Sequence, residues 1–410
     1  MQIPETLATP ERARTLPGAA LALIHTGRAA TRADLTAALG VVRATVGSVT
    51  ADLEALRLIQ VDTTPGGAPG TLGRPSHRLT IDAGGPVVLA AQVHPDGYQV
   101  ALVGLGGAIT AEAGGALIEP DNPERVLAAV VQAGARLLRS AGRGCTGAGL
   151  AVPSAVAEPE GTAVSPLYLG WPTGAPIRDI FAAQASRAGI TGPGGAALEC
   201  QVGNDINLAA LAEYRHGAGR DAGHLLVVAT GHRGTGGALI IGGRLYAGSS
   251  GLGMEAGHVT VSQGGRPCRC GNRGCLDVET DPVTFMEAAG RVPRPGLTVL
   301  EQATAVLQHG GYDPAVRAAA RTLIEYLGIG LAGLINVLNP DRVLLGGLHR
   351  DLLAADPERL GAAVAKRSPW GRGSSVPLLP CALDQGGLIG AAELAWQPVL
   401  DDPGTLGAVR

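Results

Sequence analysis

Between residues 18 and 60 the apolar positions recur at helical spacing. Ala19 to Thr26 reads as one helix. Thr31 to Leu39 reads as a second, with Thr31 as N-cap and Asp34 three residues on, close to a capping box. Gly40 breaks it. Arg43 to Leu58 reads as a third helix, with Val46, Val49, Leu53 and Leu56 along one face. Helix, short glycine turn, helix is the helix-turn-helix pattern. Ile59 to Val61 and Arg78 to Ile81 read as two short strands around a Gly/Pro-rich stretch from Pro65 to Pro75, together a wing. The same pattern also suits a plain helical bundle. Gly47, inside the third helix, costs about 1 kcal/mol against Ala.

Beyond residue 83 the period changes to alternating β and α. Val87 to Val93 and Tyr98 to Val103 read as a hairpin turning at Pro95-Asp96-Gly97. A helix from Pro123 to Ala141 precedes a buried strand from Gly147 to Val152. Leu225 to Ala229 and Gly237 to Ile241 form a second strand pair, and Val343 to Leu345 a strand after the long helix Ala315 to Leu338. No short repeat is visible, and the sequence alone does not prove that two α/β lobes repeat one another. The expected class is therefore α/β, preceded by a mainly helical winged domain.

A chain of 410 residues is too long for one ordinary domain, and its 46% hydrophobic residues suffice for sizeable cores. The net charge of −3 advertises no global affinity for nucleic acid. The 63 glycines lack a G-x-y period, which excludes collagen. Met1 to Leu16 has no long apolar core, and no uninterrupted apolar run reaches the ~18 residues of a membrane span. The expectation is a cytoplasmic protein without a membrane partner. Three of the six cysteines fall within Cys268–Cys275, which in a reducing compartment favours metal over disulfides.

That cluster, Cys268-x-Cys270-x4-Cys275, is a tight knuckle whose glycines let the backbone wrap a small ion. A closed structural zinc site needs four N/S ligands, and His258, ten residues before Cys268, is the nearest fourth. The expected cofactor is one structural zinc per chain.

The same segment resembles the ROK family of repressors, uncharacterised reading frames and sugar kinases. The family pattern E-x-G-H, a short spacer, then C-x-C-G-x-x-G-C-L-E stands here as Glu255-Ala256-Gly257-His258 and Cys268-x-Cys270-Gly271-x-x-Gly274-Cys275-Leu276-Asp277. Gly203-Asn204-Asp205-Ile206-Asn207, Leu169-Gly170-Trp171, Asn339-Pro340-Asp341, Gly346-Gly347 and Gly387-Leu388-Ile389-Gly390 extend the likeness over nearly all of 85–395. The resemblance implies a two-lobed, actin-like sugar-kinase fold with a sugar in the cleft. It divides the chain into a winged helix-turn-helix domain (1–82), a first lobe (83–198 plus 386–404) and a second lobe (199–385) carrying the zinc knuckle and dimerisation helices.

It further implies that Asn204, Asp205, Glu255 and His258 contact sugar, because carboxylates and amides pair well with vicinal hydroxyls. His258 would bind zinc through one ring nitrogen and sugar through the other. The residues by themselves read Asn204-Asp205 equally well as a helix cap. Asp277 replaces the family's Glu and is one methylene shorter, so its sugar contact is lost or the preferred sugar altered. In the family's kinases Asp205 would be the catalytic base. Their first phosphate loop, D-x-G-G-T, reads Gln92-Val93-His94-Pro95-Asp96 here, and Pro95 has no N–H to offer. Their second, G-T-G, reads Gly231-His232-Arg233. The sugar side is kept and the phosphoryl-transfer machinery is not.

The helix-turn-helix also resembles that of the family's regulators, with Val42 and Gly47 where they carry serine. Arg43, Thr45 and Ser48 remain as candidate DNA contacts. Gly73-Arg74-Pro75 matches the family's wing, where arginine suits a narrow minor groove. The expected partners are a DNA operator, a monosaccharide or derivative as effector, and a second copy in a homodimer or homotetramer. The expected role is a catalytically inactive, sugar-responsive repressor. The rivals are an active sugar kinase with an N-terminal extension, and a sugar-binding protein whose degenerate helix-turn-helix serves only oligomerisation.

Overall fold

Thr15 caps the first helix: its hydroxyl accepts from the Gly18 N–H ahead of α1 (Leu16–His25). The computed structural model describes residues 14–62, 77–164, 166–369 and 376–407. α2 (Arg32–Leu39) starts on a full capping box between Thr31 and Asp34, and Gly40 ends it in the left-handed conformation at φ 67°. α3 (Arg43–Ala55) has no side-chain cap, because Val42 stands at its N-cap and is 68% exposed. It stops three residues short of the expected Leu58. Arg57 turns left-handed at φ 57° and the Leu58 N–H folds back onto the Leu53 carbonyl, which closes the helix. β1 (Ile59–Asp62) and β2 (Arg78–Ile81) pair antiparallel, Ile59 opposite Ile81. Residues 63–76, with Arg74 and the rest of the expected wing, lie outside the described residues.

β3 (Val87–His94), β4 (Gly97–Val103) and β5 (Ile109–Gly115) then form an antiparallel meander. α4 (Pro123–Ala141) leads to β6 (Cys145–Val152), and α5 (Ile177–Arg187) to β7 (Cys200–Asn204), both strands added in parallel. α6 (Asp205–His216) crosses to the second sheet. There β8 (His224–Thr230), β9 (Thr235–Ile241) and β10 (Arg244–Leu245) run antiparallel. After the long α7 (Pro314–Leu338), β11 (Arg342–Gly346) and β12 (Leu378–Pro380) add in parallel. The sheet orders are β5-β4-β3-β6-β7 and β10-β9-β8-β11-β12, the same arrangement twice. The lobe repeat that the sequence left open is visible in topology.

Nearly every residue of β3 is buried, as expected of a strand covered on both faces. Val87, Leu89, Ala91 and Val93 pack with Val126, Leu127 and Val130 of α4. Val88 and Ala90 point the other way into a cluster that joins Leu21 and Ile24 of α1, Leu35, Val46 and Leu53 to α8 (Gly386–Asp401). The helical N-terminal part thus shares one core with the first sheet. α8 crosses α6 at Gly390, where a Cβ would lie 1.9 Å from the Leu208 carbonyl oxygen; only glycine permits that approach.

A buried charge cluster ties these helices together. Glu393 of α8 accepts from His25 Nε2 at 2.8 Å, Arg215 Nη1 at 2.7 Å and His216 Nε2 at 2.8 Å. The Gly106 N–H donates to His25 Nδ1 at 2.9 Å, so His25 donates to Glu393 through Nε2–H. Burial pushes the Glu393 pKa up, but His25, His216 and Arg215 outweigh it and hold the carboxyl well below the ordinary value. α7 is long and apolar enough to cross a membrane by length and composition. Its Leu323, Ile324, Leu327, Leu331 and Ile335 fill the second lobe's core against Val343, Leu345 and Leu348, which accounts for that composition.

Candidate functional site

The cleft between the lobes opens where β6 and β7 end and α6 begins. Pro153, Ser154, Asn204 and Asp205 line one side, and Gly231, Arg233 to Gly237, Glu255, His258 and Asp277 the other. Asn204 caps α6: its Oδ1 accepts from the N–H groups of Ile206 and Asn207, both at 3.0 Å, and its Nδ2 donates to the Ser154 carbonyl. The cap and a place in the cleft are therefore compatible for this residue, but its carbonyl oxygen is committed to the helix. Asp205, the first residue of α6, is 8% exposed. Its Oδ1 accepts from the Ile206 N–H at 2.9 Å. Burial, with a smaller contribution from the Glu255 charge, raises its pKa to about 7.

Glu255 sits exposed at the rim, its Oε2 3.7 Å from His258 Nε2. The other nitrogen of that ring, Nδ1, lies 3.7 Å from Cys268 Sγ. His258 thus faces the carboxylate with one nitrogen and the cysteines with the other. One ligand atom from each of His258, Cys268, Cys270 and Cys275 lies within 4.8 Å of all the others, with Cys270 Sγ and Cys275 Sγ 3.7 Å apart. A tetrahedral ion with metal–sulfur bonds of about 2.3 Å holds its sulfurs about 3.8 Å apart, so the four-ligand set fits zinc. Gly274, at φ +70° with its Cβ position 1.6 Å from the Ser262 carbonyl, allows the knuckle to close.

Asp277 is buried, and each of its oxygens accepts from a protein donor. Its Oδ1 takes the Thr235 N–H at 2.5 Å and its Oδ2 the Tyr168 hydroxyl at 2.6 Å. Tyr168, whose phenol burial and Asp277 push up, and Thr235 were not singled out by sequence. Tyr168 directly precedes the Leu169-Gly170-Trp171 motif, the one signal that could have found it. The shortened carboxylate thus ties Thr235 and Tyr168 together in the wall of the cleft.

The two loops compared above with phosphate loops meet each other. His94, at the end of β3, stacks on His232, between β8 and β9, with ring centroids 3.6 Å apart and planes 10° apart. Arg233 Nη2 donates to Asp96 Oδ1 at 3.3 Å. At the N-terminal part of α3, Arg43 and Ser48 are exposed and Thr45 is half-buried. A Cβ at Gly47 would meet nothing within 4 Å, so packing does not demand glycine there.

A family model described as the ROK family matches residues 98–397. The glucokinase of Halalkalibacterium halodurans is 29% identical over 217 residues, 49% of this chain and 61% of that protein. The DNA-binding transcriptional dual regulator NagC of Escherichia coli is 30% identical over 220 residues, 50% of this chain and 52% of that one. The chain thus spans about half to three-fifths of the length of these curated relatives. Among solved structures, a ROK family transcriptional regulator, homolog of the E. coli MLC protein, superposes with a TM-score of 0.72 at 21% identity, covering 95% of this chain and 96% of that one. The ROK hexokinase of Thermus thermophilus superposes at 0.59 and 26% identity, covering 77% and 99%. The fold is the two-lobed actin-like one, with a helical N-terminal region.

Proposed function

The chain belongs to the ROK family, and from that premise we propose that it is a sugar-responsive DNA-binding regulator, a repressor, that binds a monosaccharide without phosphorylating it. One observation carries the reading. Asp205, Glu255 and His258 converge on the cleft, while the loops that would hold phosphates are filled by their own His94–His232 stack and Asp96–Arg233 pair. Sugar hydroxyls would pair with Asp205, Glu255 and His258 Nε2, with Asn204 contributing through its amide. Asp277 would act by holding Tyr168 and Thr235 in place. His258 with Cys268, Cys270 and Cys275 would hold one structural zinc, which crosslinks the segment that presents His258 to the cleft.

Residues 1–82 would read DNA as a winged helix-turn-helix, through Arg43, Thr45, Ser48 and Arg74, in a cytoplasmic homodimer or homotetramer. The effector domain would comprise 83–198 with 386–404 as one lobe and 199–385 as the other. α6 supports a route between the sites. It carries Asp205 at its first residue and Arg215 and His216 at its end, where they meet Glu393 and, through it, His25 of α1. Twelve helical residues span about 18 Å. A shift of α6 on sugar binding would reach the DNA-binding helices through that cluster.

Calorimetry against a hexose and amino-sugar panel, with and without operator, tests the reading. Sugar and operator must change each other's affinity by the same factor. Asp205→Ala should weaken sugar binding by about 1.5–3 kcal/mol while zinc content stays unchanged. If the carboxylate accepts from a sugar hydroxyl, the ionised form binds. Affinity should then rise as pH climbs through about 7 and level off above it. Absence of binding across the panel, or a flat profile between about pH 6 and 8, would remove Asp205 from the site. A coupled kinase assay that reached about 1 s⁻¹ or more would favour the rival reading as a sugar kinase, for which the glucokinase likeness speaks.

On the DNA side, the protein should prefer an A/T-rich palindrome from its own promoter region. Arg43→Ala should cost about 1–3 kcal/mol in operator affinity, measured by titration at fixed salt. Equal loss on random DNA would make Arg43 a phosphate contact only.

A further inference from the structure

We infer that His94, Asp96 and His232 form a second metal site, bridging the two lobes and taking a divalent transition ion of the zinc, nickel or cobalt class. One ligand atom from each of the three lies within 4.8 Å of the others. Eight buried side-chain nitrogen or oxygen atoms lack a hydrogen-bond partner among the described residues. Four of them gather here: His94 Nδ1, His232 Nδ1, Asp96 Oδ2 and Arg233 Nε. Stacking of the two rings satisfies their faces and leaves these nitrogens bare, although His94 is only 7% exposed. Asp96 gives Oδ1 to Arg233 and keeps Oδ2 free. Buried polar atoms are ordinarily paired; Arg233 Nε–H is a donor that no cation can bond, but two imidazole nitrogens and a carboxylate oxygen bare at one point suit an ion that takes lone pairs from all three.

The donor chemistry narrows the ligand. Two imidazoles and one carboxylate suit zinc, nickel, copper, cobalt or ferrous iron, not magnesium or calcium, which favour all-oxygen sets. Each imidazole, when neutral, offers the lone pair of one ring nitrogen to an ion. Arg233 is partly exposed and is free to swing from Asp96 as the ion arrives. The rings are nearly parallel, so one must tilt to bring both lone pairs onto a single ion. Metal uptake therefore breaks the stack. It also joins the β3–β4 turn of one lobe to the β8–β9 loop of the other, beside Gly231 and Gly234 of the cleft. The ion is thereby a brace across the mouth of the cleft.

The test uses the full chain with its cysteine knuckle loaded with zinc. Titration with Co(II) and Ni(II), followed by calorimetry and absorption, should show one further equivalent per chain. Its Co(II) spectrum should have d–d bands and no thiolate-to-cobalt charge transfer, because the donors are nitrogen and oxygen. His232→Gln and Asp96→Asn should each weaken that binding by at least about tenfold and leave the knuckle zinc in place. The inference is overturned by uptake that stops at the knuckle, by a thiolate charge-transfer band for the added ion, or by binding unchanged in both variants. Should either variant fail to fold, the stoichiometry and spectrum of the parent protein decide alone.

Discussion

Glu393→Ala is expected to destabilise the protein by about 3–5 kcal/mol, the cost of leaving the largely buried Arg215 guanidinium and two imidazole donors without their partner. Glu393 is 0% exposed and its two oxygens serve His25, Arg215 and His216. Removing it strands Arg215, only 12% exposed, without a counter-charge. The pH dependence has a definite sign. The folded carboxyl titrates well below its ordinary value of 4.5, so its stabilisation is present above that value and fades as pH falls beneath it. The parent should lose that contribution in acid, and Glu393→Ala should lack it at every pH. Chemical denaturation across the acid range measures both effects. Glu393→Gln keeps the shape and removes the charge; if it unfolds at the same denaturant concentration as the parent, the charge cluster is not what fastens α1 to α6 and α8. A stable Glu393→Gln that binds sugar and operator normally but no longer couples them would place the cluster on the route between the two sites.

Cys275→Ser should be comparably severe. The residue is 0% exposed, opens the short helix Leu276–Glu279, and bridges to Thr260 across the knuckle. Structural zinc contributes about 10–16 kcal/mol of apparent binding free energy in small metal-folded peptides, much of it folding energy. Loss of one of four ligands should therefore empty the site and loosen the segment that carries His258 and Asp277. Elemental analysis should find about one zinc per parent chain and none in Cys275→Ser or Cys270→Ser. Sugar binding should fall with the zinc, and chelation of the parent should reproduce the variant. Cys145→Ser, in the first sheet's core, is the matched control and should keep its metal. Full zinc retention in Cys275→Ser would contradict the four-ligand set.

What was legible in the sequence was local. The capping box at Thr31 and Asp34, the glycine stop at Gly40, the helix Pro123–Ala141 and the paired strands at 225–229 and 237–241 all depend on hydrogen bonds or periodicities a few residues long. The cysteine knuckle is equally local, since three of its four donors lie within eight residues. Motif likeness reached further and located Asn204, Asp205, Glu255 and His258. It carried no information on which of their atoms remain free. Tertiary structure decided that. Asp277 is spent on Tyr168, 109 residues away, and Glu393 on His25, 368 residues away. Glu393 leaves a faint trace in the chain, as an acid on the buried side of a mostly apolar helix, but nothing in the sequence names its partners. His94 and His232 each look like a loss in a phosphate loop, and only the facing of two hairpins turns them into a stacked pair. Periodicity specifies which face of an element is buried. The order in which strands add to a sheet specifies what that face meets, and that order is set by the summed packing of the whole chain.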